Sequence, residues 1–161
     1  MTTEQDIRPK ERRVEIAPAR DAQLRFIGTI RTPFPDRAAC PRQGRQDGPD
    51  CRLVLDPVWH PALQGLEDYE TLEVLYWLDR SRRDLVVQAP RHDDRVFGTF
   101  ALRSPVRPNP IGTALVRLVR IEAGEVVVRG LDCIDGTPLL DIKPDRSAFT
   151  PKAPPKSTEG G

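Results

Sequence analysis

Three prolines within six residues, Pro105, Pro108 and Pro110, lie well inside this chain and forbid helix where they stand. Each ring fixes its own φ. The preceding residues, Ser104, Arg107 and Asn109, are pushed towards extended backbone. Arg103 to Gly112 therefore reads as a stiff loop with few conformers to lose on binding, carrying two arginines and an asparagine. In a strand-like backbone Arg103, Arg107 and Asn109 project to one side; a polyproline twist spreads them. Gly112 ends the run at a point where a positive φ or a close approach would explain a glycine. Apolar, strand-like segments flank the run, so it belongs to the folded part of the chain. Two readings stand at this level: a surface loop with solvated arginines, or a rigid wall for a ligand.

The flanking segments are short. Leu24 to Ile30, Arg52 to Leu55, Thr71 to Leu78, Leu85 to Gln88, Ala114 to Ile121, Glu125 to Arg129 and Leu139 to Ile142 all read as strands, with turn residues between them. Leu72, Val74, Tyr76 and Leu78 alternate along one face, with Leu75 and Trp77 on the other, as in a strand covered on both sides. Ala123-Gly124 joins two of the strands as a hairpin. Pro57 to Gly65 is a turn or a short helix. No long segment carries a helical period. The expected fold is all-β, a single small barrel or sandwich domain over residues 22–146. Residues 1–21 read as a flexible tail or arm, and 147–161, rich in Pro, Lys, Ser, Thr and Gly, as a disordered tail.

The net charge is +1, so the overall field does not announce nucleic acid. Its distribution says more. From Arg95 to Ile121 there are five arginines and no acid, and Arg31, Arg37, Arg42 and Arg45 cluster around a single Asp36. Such patches suit anionic ligands or RNA phosphates, or are simply solvated faces. Asp132, Asp135 and Asp141 lie within ten residues and are expected to pair with loop arginines or to cap turns rather than to hold a cation. Asp132 is also suited to accept from a ligand's amine or hydroxyls. Three cysteines without a CxxC spacing give no disulfide framework and no zinc ribbon, and two distant histidines suggest no metal site. Nucleophile elbow, Walker loop and Rossmann glycine fingerprint are all missing. No apolar run approaches a membrane span and the N-terminus has no secretory pattern, so a cytoplasmic location is expected.

The motifs, taken together, resemble a known family. Arg103-Ser104-Pro105-Val106-Arg107-Pro108-Asn109-Pro110-Ile111-Gly112 is similar to the signature of the TsaA-like (TrmO) family. Gly28 to Phe34, Pro41-Arg42-Gln43, Gly65-Leu66-Glu67 and the stretch from Leu131-Asp132 to Lys143-Pro144 match in order, spanning residues 24–145. Val106 stands where the family often has His, and Asp145 where an aromatic residue is often found. Longer bacterial members carry a C-terminal extension associated with tRNA engagement; this chain reads as a short form without it.

The resemblance implies a β-barrel that binds S-adenosylmethionine without a Rossmann fold, near a homodimer interface. It implies methylation of N6 of threonylcarbamoyl-adenosine at position 37 of tRNA. Residue by residue, it assigns Pro41, Arg42, Gln43, Arg103, Leu131 and Asp132 to the cofactor, with Asp79, Arg80, Gly112 and Thr113 alongside them. Arg107, Asn109 and Lys143 are expected to meet the substrate, as is Arg42. No single catalytic residue is implied, because in-line methyl transfer from a sulfonium to a nitrogen needs positioning rather than a covalent enzyme intermediate. A small-molecule methyl acceptor, and a binding or regulatory module without turnover, are the alternatives.

Overall fold

The computed structural model describes residues 7–149 apart from 16 and 19. Its strands, in chain order, are β1 (Arg12–Arg13), β2 (Gly28–Arg31), β3 (Cys51–Leu55), β4 (Thr71–Trp77), β5 (Leu85–Gln88), β6 (Phe97–Gly98), β7 (Ile111–Glu122), β8 (Glu125–Arg129) and β9 (Thr137–Pro144). Helix is confined to short 3-10 turns among the described residues, the longest being Pro57–Leu63, where the interior Pro61 disfavours an α-helix.

Six strands close into a barrel in the order β2-β3-β8-β7-β4-β9, with β9 returning to β2, and every neighbouring pair is antiparallel. The alternation expected along β4 is realised: Leu72, Val74 and Tyr76 point inward and are buried, while Thr71, Glu73, Leu75 and Trp77 are half-covered. Ile30, Leu53, Val116, Val126, Val128 and Leu139 fill the interior from the other strands. All are β-branched or leucine, which suits a small barrel filled by side chains rather than a pore. The hairpin at Ala123 and Gly124 has φ of 46° and 78°, the left-handed pair that a two-residue turn between twisted strands requires.

A second, three-stranded sheet, β1-β5-β6, stands beside the barrel. Residues 12 and 13, read as part of a tail or arm, here form its edge strand, with Arg12 opposite Val87 and Arg13 opposite Leu85. The expected C-terminal tail lies outside the described residues from 150 onward. The first barrel strand starts at Gly28 rather than Leu24, because Leu24 to Phe26 are exposed and have no ladder to join.

Candidate functional site

A groove of about 2010 Å³ runs between the barrel and the small sheet. Three chain segments far apart in sequence build one wall of it. The first is the loop carrying Pro41-Arg42-Gln43. It is seated by Gly44, where any Cβ would overlap the Gly130 carbonyl. This close backbone approach sets the first segment directly against the second, Gly130 to Ile134.

The second segment is laced to the end of β2. Thr32 N donates to Asp135 Oδ1 (3.1 Å), Thr32 Oγ1 to the Cys133 carbonyl (2.8 Å), and Asp135 N to the Phe34 carbonyl (2.8 Å). Asp135 therefore caps a turn, with Arg31 nearby at 3.5 Å, and Asp141 accepts from Lys143 Nζ at 2.8 Å. The expected pairing of these aspartates with the arginines of the proline loop does not occur: Asp135 is taken up by the turn and Arg31, and Asp141, on β9, by Lys143.

Asp132 has a different partner. Tyr76 Oη donates to Asp132 Oδ1 at 2.9 Å. The tyrosine is only 4% exposed. Burial, reinforced by the neighbouring Asp132 charge, pushes its pKa far up, so it remains a protonated donor. Gly112 is the residue across from Tyr76 in the β4–β7 ladder, and a Cβ there would run into the phenol ring. The glycine is needed for close approach, not for a positive φ. Among the described residues no other hydrogen bond to the Asp132 carboxylate is made, which leaves its second oxygen available at the groove.

The proline loop is the third segment, and it is neither strand nor free surface. Arg107 folds back on it: Nε donates to the Ser104 carbonyl (2.8 Å), Nη2 to that of Arg103 (3.2 Å), and Nη1 to that of Ile111. Gln88 reaches across from β5 and donates to the Val106 carbonyl at 3.0 Å. Arg83 lies over the Trp77 ring at 5.3 Å and donates to the Pro108 carbonyl (2.6 Å) and to Asn109 Oδ1 (3.3 Å). The backbone carbonyls that proline leaves without strand partners are thus met by side chains.

Of the residues expected to hold a ligand, Pro41, Arg42, Gln43, Arg80, Arg103, Arg107, Gly112, Thr113, Asp132 and Lys143 line the groove. Asp79 and Asn109 do not, and Leu131 packs into the barrel core. Arg107 is at the groove but spends its donors on the loop. Sequence reasoning missed Tyr76 as a site residue, along with Gln88, Glu73, Glu11 and Arg8. Tyr76 lies 56 residues from Asp132, and only the paired glycine at position 112 could have hinted at a ring lying across it.

The lining is strongly basic, with ten arginine and lysine residues against five acids. Leu78, Val106 and Leu115 add apolar surface. Cys40 and Cys133 also reach it. Burial pushes Cys133 up to about 12 and raises Cys40, helped by the Asp132 charge, so neither is an activated thiolate. Among the described residues no group of His, Cys, Asp and Glu could hold a metal ion, and no helix is long and apolar enough to cross a membrane.

The comparison with known proteins decides the family. Residues 29–149 match the model of the tRNA-methyltransferase O N-terminal domain. The chain belongs to the TrmO family. A probable S-adenosyl-L-methionine-binding protein, VirR, of Rhizobium radiobacter is 52% identical over 92% of this chain and 85% of its own length. The tRNA (adenine(37)-N6)-methyltransferase of mouse is 35% identical over 73% of this chain, which spans only 29% of the mouse protein. A crystal structure of TrmO superposes with a TM-score of 0.68 at 32% identity, covering 90% of this chain and 65% of that one. The closed barrel of this chain is thus shared, at the level of the superposed backbone, with a solved TrmO.

Proposed function

We propose that the groove binds S-adenosylmethionine and that the protein is a methyltransferase acting on N6 of threonylcarbamoyl-adenosine 37 of tRNA. One observation carries this reading. The fold brings Pro41-Arg42-Gln43, Arg103 and Asp132 onto one wall, with Tyr76 fixing the carboxylate. That donor set fits the ligand: a carboxylate for ammonium or hydroxyl groups, guanidinium groups for a carboxylate, and apolar patches for the adenosine ring. When bound, S-adenosylmethionine supplies an electrophilic methyl group on a cationic sulfur.

The chain's own residues then do the positioning. Asp132 accepts hydrogen bonds from the ligand, its direction set by the Tyr76 hydroxyl. Arg103 and Arg42 face anionic groups, since a guanidinium beside the sulfonium would be repulsive. Arg107 and Gln88 hold the proline loop, so the wall is rigid before anything binds. A prearranged wall of this kind lowers the barrier chiefly through proximity and orientation. The basic lining suits an RNA acceptor, and the names of the mouse and TrmO relatives support that choice.

The same reading implies a cytoplasmic homodimer with the site near its interface. Phe100, 91% exposed and just ahead of the proline loop, is an apolar group suited to such a contact. A second reading, binding without turnover, is favoured by the name of the Rhizobium relative. The test is titration of S-adenosylmethionine into the wild type, Arg103→Ala and Asp132→Ala, with nucleoside mass spectrometry of tRNA incubated with each. Binding and methylated threonylcarbamoyl-adenosine are expected from the wild type, with both reduced in the variants. Binding without any methylated nucleoside selects the second reading.

A further inference from the structure

The segment ahead of the barrel precedes the residues that match the family model, which begin at 29. It is nevertheless anchored. Strand β1 pairs with β5, Val14 N donates to the Asp84 carbonyl at 2.9 Å, and Glu11 Oε1 accepts from Ala89 N at 2.9 Å, just past the other end of β5. The Glu11 side chain is only 1% exposed. A carboxylate so deeply buried needs partners. Besides Ala89 N, they come from Arg8: its backbone N donates to Oε2 at 3.0 Å, and its Nε lies 3.5 Å from Oε1.

Arg8 is in turn part of the groove lining. Its Nη1 is shut off from water and has no hydrogen-bond partner among the described residues. A guanidinium cannot escape that by losing a proton. Glu11 holds the Nε side of the group and Nη1 is closed off within the wall, so the rest of a side chain that is 41% exposed as a whole is what a ligand in the groove can reach.

The geometry points to Arg8 as a binding residue for an anionic oxygen of the groove's ligand, delivered to the site by strand β1. This rests on the groove being the ligand site. The oxygen belongs to a carboxylate, such as that of the amino-acid end of S-adenosylmethionine, or to a phosphodiester of an RNA acceptor; both match the fork of a guanidinium. The buried Glu11 is a positioning residue that turns Arg8 towards its task. Strand β1 is then part of the working site as well as of the small sheet.

Arg8→Lys is the informative substitution, because an ammonium can keep the ion pair with Glu11 but cannot present a second nitrogen edge. Arg8→Ala accompanies it, and Arg12→Ala, outside the groove lining, controls for loss of charge on the same strand. Each full-length variant is titrated with S-adenosylmethionine, with 5′-methylthioadenosine, which lacks the carboxylate, and with an anticodon stem-loop RNA. A carboxylate contact predicts about tenfold weaker S-adenosylmethionine binding by both Arg8 variants, with 5′-methylthioadenosine unchanged. A phosphate contact predicts unchanged S-adenosylmethionine binding but weaker RNA binding by both Arg8 variants, with a salt slope shallower by about 0.7 to 0.9 for Arg8→Ala and unchanged for Arg8→Lys, which keeps the charge. Wild-type affinity of both Arg8 variants for all three ligands overturns the inference and leaves the groove assignment standing. A wild type that binds none of the three overturns the groove assignment and this inference with it.

Discussion

At Tyr76 the phenol oxygen lies 2.9 Å from Asp132 in a space where a phenylalanine ring would fit equally well. Tyr76→Phe keeps the packing over Gly112 and deletes only the donor. A hydrogen bond to a charged group contributes about 1.5–3 kcal/mol. The expected outcome is about tenfold weaker binding of S-adenosylmethionine by calorimetry, with a thermal midpoint that moves by only a few degrees. A large drop in midpoint with unchanged affinity would mean that the hydroxyl serves the barrel and not the ligand. Arg107 illustrates what is legible at this scale. Its presence on a rigid loop was visible in the sequence, and its use was not. An arginine among prolines has loop carbonyls within reach that no strand will claim, so its donors turn inward.

Between elements, the decisive contact is that of the first loop with the turn after β8. Gly44→Ala would drive a Cβ into the Gly130 carbonyl and lift Pro41-Arg42-Gln43 off the wall. Circular dichroism should show an intact barrel, while affinity for S-adenosylmethionine falls at least about tenfold, since the wall loses its registration. Gly65→Ala makes a useful contrast. Its φ of 85° strains an alanine, yet nothing stands where the Cβ would go. It should cost about 1 kcal/mol of stability in urea titrations and leave binding alone. The strands themselves were largely readable, because period-two alternation in β4 and the Ala123-Gly124 turn are local signals. Of the small sheet only the central strand, β5, was readable. A two-residue strand such as β1 has no period, and its partner lies more than 70 residues away.

Across the molecule, ion pairs tie strand ends together at the surface. Asp50, just before β3, receives Arg129 Nε at 2.6 Å from β8 and has Arg120 of β7 at 3.7 Å. The Arg129 hydrogen bond, more than any other cause, holds the Asp50 carboxyl below its ordinary value. Arg82 does the same for Asp84, and Arg95 holds Asp93 down at about 2. Carboxyls whose folded pKa is depressed contribute stability above the unfolded value, about 3.9, and lose it as pH falls through the folded one. Urea midpoints should therefore fall between about pH 5 and about pH 2, and Asp50→Asn should make that fall shallower while lowering the midpoint slightly near neutrality. An acid limb of unchanged steepness in the variant would remove Asp50 from the account.

The barrel closes through β9, which lies between β2 and β4 and pairs with both. Residues near position 30 and near position 75 thus both wait for a strand that begins at Thr137. During synthesis on a ribosome, the groove's first wall segment is translated long before the strand that closes the barrel behind it. Ligand cannot guide early folding, and a nascent chain spends most of its elongation with open sheet edges. Closure of so non-local a topology is slow relative to helix formation. Ligand affinity should therefore arrive late and all at once, when β9 clears the exit tunnel.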